Sequence, residues 1–431
     1  MNKFKLIFLL FFLINCSLDT KTGIWTEKKK LQEENKNIVK LFQEDKVLEK
    51  EINSNLKLKI KSKLFDNSSF NNDNNNGRMK YNGDLQSISK FKFKKIKNFN
   101  YFEPELIFDK KNLIFFNNKG SIIKFDTESK IIWKKNYYTK QEKKLQPVLN
   151  FAINSNTLIV IDNISKYYAV DINTGELVWS KNNPAPFNSQ IKIYKDKFFA
   201  IDFDNVLRCY SIKDGSELWK VKAGDIFLKS EKRLSLIIVD NSVYFNNSTG
   251  EIFAVDINNG NLLWQTPTQS SSIYESAFFL KTSDIIANNK IISFSNNKNE
   301  FYVLDLKTGI IKWKNKINSH SRSTIINDII ISVSNEGYLF IIESETGKII
   351  RTTDIFNMFK EKKRAKISPT GFIVGIENIY LTTDHGRLLI IDISTGKTKK
   401  IIKIDNDKIS RPFVLNQNLF IIKENSIIKL N

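Results

Sequence analysis

VDINTGELVW, residues 170–179, returns as VDINNGNLLW at 255–264 and as LDLKTGIIKW at 304–313. Self-similarity at a fixed period marks a repeat architecture and takes precedence over any local reading. Aligned on the turn, the units are IIKFDTESKIIW ending at Trp133, YAVDINTGELVW at Trp179, RCYSIKDGSELW at Trp219, FAVDINNGNLLW at Trp264 and YVLDLKTGIIKW at Trp313. Two decayed copies follow, FIIESETGKIIR ending at Arg351 and LIIDISTGKTKK ending at Lys400. Asp126 to Asp392 covers six intervals of about 44 residues, a length that suits four short strands and their turns.

Each unit has a turn-forming logic. Asp171, Asp256, Asp305 and Asp392 can accept hydrogen bonds from backbone N–H groups a few residues on, while Gly175, Gly260, Gly309, Gly347 and Gly396 can adopt positive φ where a hairpin closes. The tryptophan four residues later is expected on the outermost strand of its sheet, where an indole fills the gap to the next sheet. Around one such unit, apolar runs at 234–239, 243–245, 252–255 and 262–264 are separated by DNS, NNSTG and INNG, all turn signals. The C-terminal stretch RPFVLNQNLFIIKENSIIKLN supplies only three strands, and ISKFKFKKIKNF, residues 88–99, can supply the fourth. The expectation is an all-β, eight-bladed propeller over residues 88–431, built of four-stranded antiparallel blades and closed by its own two ends so that no edge is left unpaired.

The N-terminus reads differently. Lys3 and Lys5 precede an apolar run from Leu6 to Ile14, which fits a signal peptide over residues 1–15. Nine apolar residues are too few to cross a bilayer, which takes roughly 20. Leu13 to Cys16 resembles a bacterial lipobox, which implies lipid attachment at Cys16, although Asn15 stands where that pattern has Gly or Ala. Ser17 after the cysteine implies the outer membrane, periplasmic face. Residues 16–87 are expected to form a tether. Ile38, Leu41, Phe42, Leu48 and Ile52 are spaced for one helix face, and the Asn-rich stretch 66–84 has too little apolar surface to offset its ordering entropy.

Charge and chemistry narrow the function. The formal net charge of +21 suits acidic partners or anionic lipid, yet an export signal argues against nucleic acid. Only two histidines, His320 and His385, are present, with no neighbouring ligand or nucleophile, so no catalytic residue and no metal site is expected. Cys209 lies in a strand-like run and reads as a small buried apolar residue.

AVDINTGELVW, Ala169 to Trp179, and AVDINNGNLLW, Ala254 to Trp264, resemble the repeat of pyrroloquinoline-quinone-type propellers, and the resemblance covers about 340 residues. Two branches share that repeat. Quinoprotein dehydrogenases hold their quinone beside a calcium and under vicinal cysteines, and this chain has no Cys-Cys pair. The BamB family, lipoproteins of the β-barrel assembly machine, asks for no such chemistry. Resemblance to it implies a scaffold without cofactor, docking to the periplasmic domains of the barrel assembly protein and other machine subunits, with unfolded outer-membrane proteins as further partners. Its contact loops correspond to residues 181–190 and 229–235, with Arg233 and Leu234 as the partner-binding pair, although Leu236 and Ile238 replace expected acidic residues. A quinoprotein or a ligand-binding periplasmic propeller stays open as the alternative.

Overall fold

The protein is described from a computed structural model, which places residues 48–67, 74–224, 232–268 and 280–431. The signal peptide, Cys16 and the first part of the proposed helix face, Ile38 to Phe42, lie outside the described residues.

Thirty-two strands form eight four-stranded antiparallel sheets. Seven are continuous in sequence. The first is Ile107–Asp109, Asn112–Phe116, Ile122–Phe125 and Ile131–Lys135, with register Ile107↔Ile114, Ile114↔Lys124 and Lys124↔Trp133. The first strands of successive blades neighbour one another around a common axis. The eighth blade takes Phe413–Leu415, Asn418–Lys423 and Ser426–Leu430 from the C-terminus and completes them with Ser87–Lys92, paired as Phe91↔Ile427 and Lys90↔Ile428. The strand expected near 88–99 is thus present and closes the ring.

The indole contact is what joins blade to blade. The Trp133 Nε1 donates to Ile172 O of the next blade at 3.0 Å, Trp179 to Ile212 O at 3.0 Å, Trp264 to Leu306 O at 3.3 Å and Trp313 to Ser344 O at 2.9 Å. The ring then lies flat on the glycine of the next turn. Gly175 has φ +72°, and a Cβ there would come within 2.9 Å of the Trp133 ring, so both conformation and space demand glycine. Asp171 Oδ1 fixes that turn by accepting from Asn173 N at 2.9 Å and Thr174 N at 2.8 Å. Hydrogen bonds to Thr174 hold its carboxyl below the usual carboxylate range.

Three blades lack the indole, and at two of them the N-terminal segment replaces it. Arg351 takes the equivalent place in blade six and is buried, its guanidinium donating to Leu56 O at 2.9 Å, to Ser394 O and to Ile393 O at 3.2 Å. Residues 48–67 are extended rather than helical. Ile52 exchanges both backbone hydrogen bonds with Thr352 on the outer strand of blade six, and Leu58 and Ile60 pack on the cluster between blades six and seven. Between blades seven and eight, where Lys400 stands for tryptophan, Met79 and Tyr81 are buried among Ile373, Tyr380, Val414 and Ile421. Tyr81 donates to Asn431 O at 2.7 Å and meets the Tyr380 ring at 4.8 Å.

The part of residues 66–84 that is described, 66–67 and 74–84, therefore departs from the expected disordered tether. Composition alone is misleading here because the apolar residues among those described, Met79 and Tyr81, both go into one seam. Truncating Tyr81 to Ala should cost about 3–5 kcal/mol, comparable with Trp179→Ala, because each empties a buried aromatic wedge. Denaturant midpoints of the two variants check this, and a Tyr81→Ala effect under about 1 kcal/mol would show the segment to be mere surface covering.

Candidate functional site around the propeller axis

Five of the polar residues gathered at the axis come from one repeated position, two residues ahead of an innermost strand. Glu105, Gln190, Asp284, Arg322 and Arg411 precede Ile107–Asp109, Lys192–Tyr194, Ile286–Ala287, Thr324–Ile326 and Phe413–Leu415 in this way, and Arg233 stands three ahead of Leu236–Val239. The topology brings these equivalent positions together at one mouth of the ring.

There they form an ionic layer. The Arg233 guanidinium reaches Glu105 at 2.7 Å and Asp284 at 3.4 Å, and Arg411 reaches the other oxygen of Glu105 at 2.9 Å. Arg322 lies 4.0 Å from Asp284. Lys232 approaches Glu103 at 3.4 Å and donates to His320 O at 2.8 Å. Burial opposes every charge in this layer, so the neighbours decide protonation. For Arg233, burial is outweighed by Glu105 and Asp284, and its pKa rises. Burial would push the Asp284 carboxyl up, but Arg233, Arg322 and Lys232 hold it down at about 2. Arg322 is brought down to about 10 by burial and by repulsion from Arg411.

Beyond this layer the axis is filled by the chain itself. Asn75 Nδ2 donates to Ile285 O at 2.9 Å and to Gln190 Oε1 at 3.0 Å, and its Oδ1 accepts from Lys192 Nζ at 2.6 Å. Asn76 exchanges hydrogen bonds with Ile325 at 3.1 and 2.9 Å. Asn74 to Asn76 thereby tie together the innermost strands of blades three, five and six.

The expected partner-binding pair is placed otherwise than as a surface patch. Leu234 is buried, its N–H donating to Asn188 O at 2.8 Å, and the Arg233 side chain is 9% exposed. Their role in the fold is to organise the mouth, because an arginine between two carboxylates is held by both. Of the two loops, 181–190 exposes Lys181, Asn182 and Pro184, while 229–231 lies outside the described residues. Glu105, Asp284, Arg322, Arg411 and Asn75 were not singled out in the sequence. The common offset from the axial strands was the signal that could have found the first four.

His320 sits against Lys232 with its Nδ1 buried, and burial, with repulsion from Lys232, lowers its pKa to about 3. His385 pairs with Asp384 at 2.8 Å in an exposed turn. Cys209 is buried opposite Trp219, and burial pushes its thiol up to about 12. Among the described residues no group of three or more His, Cys, Asp and Glu side chains is placed to hold a metal ion. A quinone with calcium does not fit this axis either: Glu105 and Asp284 are taken up by arginines, and Asn75 occupies the space between the strands.

Arg233→Ala should cost about 3–5 kcal/mol in chemical denaturation, since it leaves Glu105 and Asp284 buried without their shared cation. Unfolded, His320 takes up a proton near pH 6.5. Its stabilising contribution is therefore complete above that pH and is lost as the pH falls toward about 3. His320→Gln should flatten the fall of the melting temperature between pH 7 and 4.5 relative to the parent protein. Asp162, raised to about 6 mainly by burial, acts in the opposite sense in both proteins and cancels in the difference.

Comparison with known proteins places this geometry. The family described as outer membrane protein assembly factor BamB matches residues 118–353. Among solved structures, BamB from Moraxella catarrhalis superposes with a TM-score of 0.65 at 14% identity, covering 80% of this chain and 99% of that one. The quinohemoprotein alcohol dehydrogenase from Comamonas testosteroni reaches 0.65 at 10% identity over 86% and 81%, and a europium-containing methanol dehydrogenase 0.62 at 11% over 82% and 89%. At such identities the superpositions show the fold alone. No curated protein matches.

Proposed function

Since the chain belongs to the family of the outer membrane protein assembly factor BamB, we propose that it is a non-enzymatic scaffold of the outer-membrane β-barrel assembly machinery. It docks to the periplasmic domains of the barrel assembly protein and to other machine subunits, and it aids insertion of outer-membrane proteins. A lipid on Cys16 holds it to the periplasmic face of the outer membrane. The observation that carries this reading is the family match across the middle blades, 118–353, set on a ring whose axis is closed by its own side chains. Such an axis leaves rims and loops as the working surface, which suits a protein that binds proteins rather than turning over a small molecule.

Docking is assigned to the loop 181–190, whose exposed Lys181, Asn182 and Pro184 stand out from buried Phe187, Ser189 and Gln190. Its core is rigid, because Asn188 and Ser189 are tied to blade four through Leu234. A preorganised loop loses little conformational entropy on binding.

A tagged chain solubilised from outer membranes in mild detergent should carry the barrel assembly protein with it. Pro184→Asp should reduce that recovery about tenfold with an unchanged unfolding midpoint. Absence of the barrel assembly protein from the parent sample would remove the assembly reading, whereas full recovery with the variant would move the contact to another loop.

A further inference from the structure

Among the described residues the pairing register exposes one seam with no wedge. In blades one to five the indole stands opposite Lys124, Ala169, Cys209, Ala254 and Val303, and a bulge follows each pair at once. In blade eight the same register sets Ser89 opposite Lys429, with the same bulge between Ser87 and Ser89. Ser89 therefore holds the place of a tryptophan facing blade one. Its Oγ is buried without a hydrogen-bond partner. A cavity of about 220 Å³ lies in that seam, walled by Phe91, Leu113, Leu415 and Phe420 and reached by Lys429. Unlike seams six–seven and seven–eight, this one receives no wedge from Leu58, Ile60, Met79 or Tyr81.

Of the polar lining, Lys111, Thr127, Asn416, Asn418 and Lys429, the last is as informative as the apolar walls. Lys124, the counterpart of Lys429 in blade one, lies beneath Trp133 with its ammonium 2.6 Å from Asp109 and 2.9 Å from Ile172 O. The counterpart of Asp109 in blade eight is Leu415, since Asp109 pairs with Asn112 as Leu415 pairs with Asn418. Among the described residues Lys429 has no carboxylate partner. An ammonium next to an apolar wall, with its acid missing and its ring missing, defines the complement of both.

We propose that the seam between blades eight and one binds a planar aromatic ring that carries a carboxylate. The ring takes the place that an indole fills in five other seams, and the carboxylate pairs with Lys429 as Asp109 pairs with Lys124. Size supports a ring, because an apolar cavity of ~150 Å³ already accepts benzene. A charge-assisted hydrogen bond inside a partly dry site gives the acid its preference over a neutral ring. The same chemistry can come from a free aromatic acid or from an aromatic residue beside a carboxylate in a polypeptide.

Isothermal titration of the full chain with indole-3-propionate tests this. The expected result is saturable binding at one site, with 3-methylindole, which has the ring and no acid, at least tenfold weaker. Lys429→Met should bring the two probes to equal affinity, and Ser89→Trp should abolish both while raising the melting temperature. Should Ser89→Trp fail to fold, the Lys429→Met comparison decides alone. An acetylated Ser-Glu-Trp-Glu-Ser amide peptide separates the sources: if it binds more tightly than indole-3-propionate the ligand is a polypeptide segment, and if it does not bind while the small acid does the ligand is free. No saturable binding of any probe, or binding that survives a folded Ser89→Trp, would overturn the proposal.

Discussion

The contact on which the ring depends is an indole lying flat on a glycine of the neighbouring blade. It joins two demands at once, a turn that needs positive φ and a ring that leaves no room for a Cβ. Because the same residue types repeat at the same register, the five indole seams close in the same way, and the angle between those blades is set by local chemistry rather than by long-range design. An aromatic ring filling such a gap also gains dispersion contacts on both faces, which a smaller residue would forfeit. In four of the five, those of Trp133, Trp179, Trp264 and Trp313, the indole N–H also finds a backbone carbonyl across the seam, so the polar end of the wedge is satisfied there.

At two of the three seams where the repeat decays, the chain covers the gap. Arg351 and Lys400 replace tryptophan in the two blades that the N-terminal segment crosses, and Ile52, Leu58, Ile60, Met79 and Tyr81 supply the missing apolar volume. Close packing explains the coincidence: an unfilled seam costs stability in proportion to its volume, and a substitute beside a lost ring offsets that cost. The ionic layer follows the same economy. Its arginines and carboxylates are costly to bury singly, yet each of Arg233, Glu105 and Asp284 sits between opposite charges.

The repeat, the turn glycines, the five wedging tryptophans and closure by the two chain ends were all legible in the sequence, because each depends on spacing within about 44 residues or on a missing fourth strand. What escaped was set by encounters between distant residues. Arg233 read as a surface anchor because its loop was visible and its partners were not: Glu105 and Asp284 lie in other blades and meet it only after the ring forms. Asn75 read as part of a polar spacer for the same reason. Polar composition predicts disorder only when nothing offers it hydrogen bonds, and the backbone groups of Ile285 and Ile325 do. Ser89 in the closing strand carried a legible signal, its register against Lys429, but that register exists only once the C-terminal strand is in place.

Completion by both chain ends has a kinetic corollary. Ser87–Lys92 is made before the seven continuous blades, yet its partner strand Ser426–Leu430 is made after them, and the surfaces that receive Ile52, Leu58 and Tyr81 belong to the sixth, seventh and eighth blades. Until Ser426–Leu430 is made, Ser87–Lys92 has no partner strand and the nascent ring keeps two open edges. Contacts of such sequence separation close slowly. Closure of the ring is therefore a late event, and the open edges before it expose the nascent protein to aggregation and proteolysis.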